Sequence, residues 1–358
     1  MNFTLDDLLR ELVKEGGSDL HIRVGEHPFF RIDGNITRAK KFPVLSQGDA
    51  KELLYSILSE ERQRRFEQTL ELDLSYTIPD LARFRVNIFQ QRNCIGAVLR
   101  LIPLRIQTID ELALPHVFKQ LAMIQRGFIL VTGPTGSGKS TTLAAMIEHI
   151  NTNKKGNIIT IEDPIEFVHT DKLCTINQRE VGVDAISFAD ALKHVMRQNP
   201  DVILVGEMRD LETISSAITA AETGVLVFAT VHTNNAVQTI DRIIDVFPVE
   251  QQQQVRLQLA VTLQAIVSQT ILPRADGKGR VVAFEIMIAI PAIRSLIREG
   301  KAHQMYTIIQ SSGGYGMRTL DSDLLDLVVK KLVTYDEALA RSPNPKEFEQ
   351  RATRMQAI

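Results

Sequence analysis

One segment of the sequence has the residue types and spacing of a phosphate-binding loop. Residues 133–140 read Gly-Pro-Thr-Gly-Ser-Gly-Lys-Ser and match the pattern G-x-x-x-x-G-K-[ST]. In such a loop, backbone N–H groups surround a triphosphate, Lys139 reaches the β- and γ-phosphates, and the Ser140 hydroxyl ligates Mg²⁺. The sequence therefore predicts an ATP or GTP site with Mg²⁺, built from one run of residues: Gly133, Pro134, Thr135, Gly136, Ser137, Gly138, Lys139, Ser140 and Thr141.

Glu162, Glu207 and His232 each follow a run of mostly apolar residues. Ligands bind at the carboxyl ends of the strands in a parallel sheet, so we expect these side chains close to the nucleotide. Glu162 is the candidate for orienting the attacking water, Glu207 for holding Mg²⁺ together with Ser140, and His232 for sensing the γ-phosphate. Each could instead be a polar residue that ends a strand in solvent. Gly206 stands where the aspartate of an ordinary Walker B motif would precede Glu207.

Arginines in the first third of the chain are candidates for a charge that assists hydrolysis: Arg83, Arg85, Arg92 and Arg100. Arg83 and Arg85 alternate on a predicted strand and therefore share one face. Arginines can neutralise phosphate charge at a subunit boundary. The alternative is a solvated strand face, and the spacing alone slightly favours it.

The elements that must position these residues can be predicted from periodicity. From Val117 onward, buried-type apolar runs separated by amphipathic helices predict a parallel sheet covered on both faces. These runs are Phe128–Val131, Ile158–Ile161, Val202–Val205 and Val225–Phe228. Ser187 and Asp210 are expected to cap two of the helices. After Pro291 the pattern is helical only, and the charged residues beyond Pro343 are expected to fray.

The N-terminal part has a different organisation. Residues 1–100 alternate apolar and polar types in short runs, which predicts a separate α+β domain with an antiparallel meander. Residues 101–114, bounded by Pro103 and Pro115, are predicted to be a linker. The boundaries we expect are therefore 1–100 for the small domain, 115–290 for the nucleotide-binding core and 291–358 for a helical C-terminal region.

Composition excludes several classes of protein. The 358 residues carry a net charge of −2 with both signs interspersed, which argues against bulk binding of nucleic acid. No apolar run approaches the roughly twenty residues of a spanning helix, so no direct membrane insertion is expected. The N-terminus lacks the pattern of a signal peptide, which predicts a cytoplasmic protein. Cys94 and Cys174 are isolated, so neither a CxxC metal site nor a disulfide framework is available.

Four segments together resemble the secretion ATPase superfamily of type II secretion and type IV pili. They are residues 133–142, 160–166, 206–210 and 229–234, which are similar to its Walker A motif, Asp box, atypical Walker B motif and His box. The resemblance implies a PAS-like N-terminal domain, a RecA-like P-loop ATPase core and C-terminal helices. It also implies a homohexameric ring at the cytoplasmic face of the inner membrane, with an inner-membrane pilus platform protein as partner. ATP would bind between the two domains of one chain, under arginines of the small domain.

Within the superfamily the chain is similar to the retraction ATPases of type IV pili. Ala292–Leu296 resembles their AIRAS-type motif. Assembly ATPases typically carry a tetracysteine motif and a longer N-terminal region, so the resemblance implies a retraction ATPase. Periodicity alone favours simple packing of this helix, with Arg294 solvated. Val225 stands where relatives commonly have a histidine, so no role is carried over to that position. The alternatives are a motor for pilus assembly or type II secretion, and an adaptor that binds nucleotide without hydrolysing it.

Overall fold

The computed structural model describes residues 3–32, 34–79, 81–102 and 105–355. The chain divides into two compact units, each with its own sheet. The first unit comprises Met1–Arg105 together with Pro164–Val168, and the second comprises Ile106–Asp163 and His169–Ile358. Among the described residues, no helix is both long and apolar enough to cross a membrane.

The first unit is an antiparallel sheet with helices packed on it. Its elements are α1 (Leu5–Lys14), β1 (Gly17–Ile22), β2 (Phe29–Ile32), β3 (Asn35–Arg38), α2 (Gln47–Tyr55), α3 (Glu60–Thr69), β4 (Glu71–Ile78), β5 (Ala82–Gln91) and β6 (Cys94–Ile102). The strand order is β3-β2-β1-β6-β5-β4, and every neighbouring pair is antiparallel. Leu8, Leu9 and Leu12 recur at helical spacing on α1 and are fully buried. The predicted meander is confirmed as β4, β5 and β6.

The second unit alternates strands with helices. Its first half contains α4 (Val117–Ala122), β7 (Gly127–Thr132), α5 (Lys139–Asn153), β8 (Gly156–Glu162), β9 (Cys174–Glu180), α6 (Phe188–Val195), β10 (Val202–Val205), α7 (Leu211–Glu222) and β11 (Leu226–Val231). Its second half contains α8 (Ala236–Asp245), α9 (Val249–Thr262), β12 (Leu263–Pro273), β13 (Arg280–Ile288), α10 (Pro291–Glu299), α11 (Met305–Ser311), α12 (Leu320–Val329), α13 (Tyr335–Arg341) and α14 (Pro345–Arg354). Ser187 and Asp210 cap α6 and α7, as predicted.

In the sheet of the second unit, the strands that precede the phosphate loop, Glu162, Glu207 and His232 are neighbours. Its order is β13-β12-β7-β11-β10-β8-β9, parallel from β12 to β9, with β13 antiparallel to β12. The four predicted runs are the adjacent strands β7, β11, β10 and β8, so the predicted parallel sheet is confirmed. Together the two units have the predicted fold class, a PAS-like α+β domain followed by a RecA-like P-loop core with C-terminal helices.

Two local expectations need correction. The C-terminal residues do not fray after Pro343: α14 follows, and its Phe348 and Ala352 are fully buried. Those two side chains lie four residues apart on one helix face, so burying them outweighs the surrounding charge. The strand β6 also continues to Ile102, two residues into the predicted linker. Pro103, which marked that linker, lies outside the described residues.

Candidate nucleotide site

The predicted phosphate loop joins a buried strand to a helix. All residues of β7 are buried, and α5 begins at Lys139. Gly133, Gly136 and Gly138 have φ angles of 138°, 79° and 87°, a region that side-chain-bearing residues rarely adopt. A Cβ atom on Gly133 would lie 2.3 Å from the carbonyl oxygen of Gln269 on β12. The glycines of the motif are therefore required by the path of the loop itself.

The remaining loop residues are distributed between its tip and the helix. Pro134 and Thr135 are exposed at the tip, whereas Ser140 and Thr141 lie half-buried in the first turn of α5. The first N–H groups of a helix have no intrahelical acceptor and attract anions. The Ser137 hydroxyl oxygen is buried and has no hydrogen-bond partner in the structure. Free donors and an unsatisfied hydroxyl are what a bound phosphate would use.

Lys139 is held inside the loop. Its side chain is buried, and its Nζ donates to the carbonyl oxygens of Gly133 at 2.9 Å and Pro134 at 3.1 Å. The same Nζ lies 3.5 Å from Nδ1 of His232, which follows β11. Nε2 of His232 in turn lies 2.8 Å from Oε1 of Glu207, which follows β10. The structure therefore brings together three residues predicted from three separate strand ends.

The charge of Glu207 is fixed by its neighbours. Burial raises the pKa of this carboxyl, but the hydrogen bond from Arg209 and the charges of His232 and Arg209 outweigh burial, so its pKa is lowered overall. Arg209 Nε lies 2.6 Å from Glu207 Oε1. Glu207 is thus ionised at neutral pH, as a ligand of hydrated Mg²⁺ must be. Nε2 of His232 faces this carboxylate and therefore donates to it.

Glu162 ends the next strand, β8, beside Glu207. Its Oε1 accepts hydrogen bonds from the Thr160 hydroxyl at 2.7 Å and from Gln178 Nε2 at 3.2 Å. The backbone of Gly206 donates to the carbonyl oxygen of Ile161 at 2.7 Å, which ties the two strand ends together.

The structure explains why glycine precedes Glu207. A Cβ atom on Gly206 would lie 3.2 Å from the Cα atom of Glu162, closer than most real Cβ contacts. An aspartate in this position would push against the backbone that carries Glu162. The atypical Walker B motif therefore allows Glu162 and Glu207 to end adjacent strands in close contact.

Sequence reasoning missed the polar residues of β12. Gln269 Nε2 donates to the carbonyl oxygen of Ser137 at 2.6 Å, and the Ser268 hydroxyl accepts from the Thr132 hydroxyl at 2.7 Å. Both β12 side chains are almost completely buried. The available signal was the three consecutive polar residues 268–270 inside the otherwise mostly apolar run 263–273, where an unpaired polar group is costly.

The candidate arginines lie on the sheet of the first unit. Arg85 on β5 is directly opposite Arg100 on β6, and Arg83 Nη2 donates to the Ser75 hydroxyl at 2.7 Å. Arg100 Nε donates to Oδ1 of Asp19 at 2.8 Å. Burial raises the pKa of Asp19, but its hydrogen bonds with Ser18 and Arg100 and the nearby arginine charges outweigh burial and lower it. Asp19, an anionic anchor for Arg100, was not predicted from the sequence.

Val225, where relatives commonly have a histidine, is remote from the side chain of His232. It is buried and precedes β11, at the opposite end of that strand from His232. Its carbonyl oxygen accepts from the Gly127 backbone N–H at 3.1 Å, at the start of β7. Its place in this chain is that of a packing residue.

Comparison with known proteins identifies relatives of nearly the whole chain. The sequence model of the family described as "Type II/IV secretion system protein" matches residues 2–304. The type IV pilus retraction ATPase PilT of Pseudomonas aeruginosa is 50% identical over 344 residues, covering 96% of this chain and 99% of PilT. A twitching motility protein of Neisseria gonorrhoeae is 47% identical over 90% of this chain and 86% of its own length. A crystal structure of the pilus retraction motor PilT with bound ADP has a TM-score of 0.92 and 47% identity, covering 98% of this chain and 100% of that chain.

Proposed function

Because the chain belongs to the Type II/IV secretion system protein family, we propose that it is the ATPase motor that retracts a type IV pilus and so powers twitching motility. The chain is an ATPase of this family. The observation that carries the proposal is the contact of Lys139, His232 and Glu207 at the carboxyl edge of the sheet. The similarity to PilT along almost the full length of both chains supports retraction as the direction in which the motor works.

The site residues have separate tasks in hydrolysis. The Lys139 ammonium neutralises charge on the β- and γ-phosphates of ATP, which the positive-φ glycines let into the loop. Glu162 orients the attacking water, and the hydrogen bonds to its Oε1 fix the carboxylate plane. Ser140 and ionised Glu207 would hold Mg²⁺, which when bound neutralises phosphate charge. His232 would report loss of the γ-phosphate through its contacts with Lys139 and Glu207.

The assembly is part of the same proposal. The chain forms a homohexamer at the cytoplasmic face of the inner membrane and acts on an inner-membrane pilus platform protein, without entering the membrane or binding nucleic acid. The family resemblance of the nucleotide motifs supports this arrangement. Molar mass from light scattering with and without ATP measures the oligomer directly.

A deletion strain tests the function. Loss of a retraction motor leaves surface pili in excess and abolishes twitching, whereas loss of an assembly motor leaves no pili. Secretion defects with normal pili would identify a type II secretion ATPase. A purified protein that binds ATP but releases no phosphate would be a non-hydrolysing adaptor.

We expect the arginines of the first unit to contribute charge during turnover. Changing Arg83, Arg85 or Arg100 to alanine should lower kcat more than ATP affinity, by about 10³-fold for the most important one. The physical reason is that guanidinium groups stabilise charge that develops only in the transition state. Steady-state phosphate release and equilibrium nucleotide binding measure the two effects.

The matched control for these variants is Arg64→Ala, because Arg64 is an exposed arginine of α3 paired with Glu60. It should retain wild-type kcat. Unchanged rates in all three sheet variants would show that the first unit supplies no catalytic charge.

A further prediction concerns α10, whose Ile293 and Ile297 are buried as its periodicity predicts. The expectation that Arg294 is solvated is wrong: its Nη1 donates to the carbonyl oxygens of Ala260 at 2.7 Å and Val261 at 2.8 Å, at the end of α9. Free carbonyls at a helix C-terminus attract such a cation. Arg294→Ala should leave ATPase activity and hexamer formation largely intact but abolish retraction in cells.

Arg298→Ala is the control, because Arg298 lies exposed on the same helix. Twitching speed, ATPase rate and the melting temperature should be measured for both variants. Twitching at the wild-type rate in Arg294→Ala would leave this arginine with a purely structural role at the end of α9.

A further inference from the structure

Three polar side chains share one face of the outer strand pair of the second sheet. Thr160 and Glu162 are two residues apart on β8, and Gln178 on β9 is in register with Thr160. Thr160 is fully buried, and both Thr160 and Gln178 donate hydrogen bonds to Oε1 of Glu162. The carboxylate is thus supported from its own strand and from the neighbouring strand.

The orientation of the Gln178 amide follows from the hydrogen bonds that it makes with His169 and Glu162. Its Oε1 accepts the backbone N–H of His169 at 2.8 Å, and a backbone N–H can only donate. Its Nε2 must therefore face Glu162, where it acts as a donor to a carboxylate, the stronger class of hydrogen bond. We propose that Gln178 is a positioning residue for Glu162, a role that rests on the proposed task of Glu162 in hydrolysis.

His169, whose backbone N–H donates to this amide, has a buried side chain. Its imidazole is 2% exposed, and Nδ1 lies 3.7 Å from Oε2 of Glu148 on α5, the helix that begins at Lys139. The nearby ring of His169 is the main reason why the pKa of Glu148 is lowered, to about 2, although burial opposes the shift. Gln178 therefore joins Glu162 to the backbone of a residue whose side chain lies beside the phosphate-loop helix.

The hydrogen bond between Gln178 and His169 lies where the chain returns to the second unit. The second unit is interrupted after Asp163 and resumes at His169, because Pro164–Val168 belongs to the first unit. Glu162 precedes this interruption and His169 follows it, so Gln178 links its two ends through side-chain and backbone hydrogen bonds. A displacement of His169 would withdraw the N–H that donates to the amide oxygen of Gln178 and release Glu162 from its fixed orientation.

The test is Gln178→Glu. Glutamate has nearly the same shape and still accepts from His169, but it has no N–H for Glu162 and adds a like charge beside it. We expect kcat to fall about ten- to hundredfold, as for loss of one hydrogen bond to a charged group. ATP affinity should stay within about twofold of wild type, because the phosphate loop is untouched. The acidic limb of the kcat–pH profile should move to higher pH, since a neighbouring negative charge raises a carboxyl pKa.

The other charged groups at these strand ends, Asp163, Glu180, Glu207, Arg209 and His232, are the same in wild type and variant. The carboxylate introduced at position 178 titrates together with Glu162, so the shift in the profile reports on this pair of carboxylates. Asn177→Ala is the matched control: Asn177 is the preceding residue of β9, and its amide donates to Asn157 Oδ1 instead. It should keep the wild-type rate and profile. Melting temperatures show whether each variant folds, and Gln178→Leu, which lacks both hydrogen bonds, should repeat the kcat loss without the added charge.

The outcomes separate this inference from the proposed function. Loss of turnover in Glu162→Gln together with a wild-type rate and pH profile in Gln178→Glu would overturn the positioning role alone. Wild-type turnover in Glu162→Gln would overturn the proposed role of Glu162, and with it this inference.

Discussion

Alanine in place of Lys139 is expected to abolish ATP hydrolysis and severely weaken ATP binding. The ammonium is buried and is held by two carbonyl oxygens of its own loop, so the side chain is already placed within the phosphate cradle. Its loss removes the cationic donor to the β- and γ-phosphates, while the glycine-dependent path of the loop remains. Calorimetric titration with a slowly hydrolysed ATP analogue and a phosphate-release assay measure the two losses.

Lys155→Ala is a suitable control, because Lys155 is exposed just beyond the other end of α5. It should bind and hydrolyse ATP like the wild type, and circular dichroism should be the same for both variants. Near-normal turnover in Lys139→Ala would remove the basis for assigning this loop to catalysis.

Glutamine in place of Glu162 is expected to preserve ATP binding and eliminate turnover. The amide has the shape of the carboxylate, and its oxygen can still accept from Thr160 and Gln178. It cannot polarise an attacking water as an anion does, and loss of such assistance costs about 10²- to 10⁴-fold in rate. A single-turnover measurement with prebound ATP isolates this step from nucleotide exchange.

Glu207→Gln is the informative comparison for this variant. Glu207 contacts His232 and Arg209, so its loss should disturb Mg²⁺-dependent ATP binding as well as turnover. A pure turnover defect in Glu207→Gln, combined with weakened binding in Glu162→Gln, would mean that the two carboxylates have exchanged roles.

The central strands were predictable because each is a short run of apolar residues, buried on both faces and bounded by polar side chains. Other strands of the same sheet lacked that signal. In β9 only Cys174 and Ile176 are apolar and the last four residues are all polar, since this strand lies at the edge of the sheet. The strand β12 starts at Leu263, directly after α9 ends at Thr262, so no turn residue separates two apolar patterns.

The supporting residues of the site were beyond prediction for a related reason. Gln178 and Gln269 are ordinary polar residues until strand order places them beside Glu162 and Ser137. The same holds for Gly206. It has to be a small residue because it lies against Glu162, which is forty-four positions earlier in the sequence. Sequence motifs identify the groups that react. The residues that orient those groups can be identified only from contacts between segments that are distant in the sequence.

The assignment of Pro164–Val168 to the first unit has a practical consequence for cutting the protein into fragments. The chain passes from one unit to the other after Arg105, after Asp163 and after Val168. A protease that cuts near Arg105 therefore cannot release the first unit as a closed domain, because part of its fold remains on the larger fragment. A truncation starting at Ile106 would likewise retain Ile165, a side chain only 5% exposed in the full chain, without the unit to which it belongs.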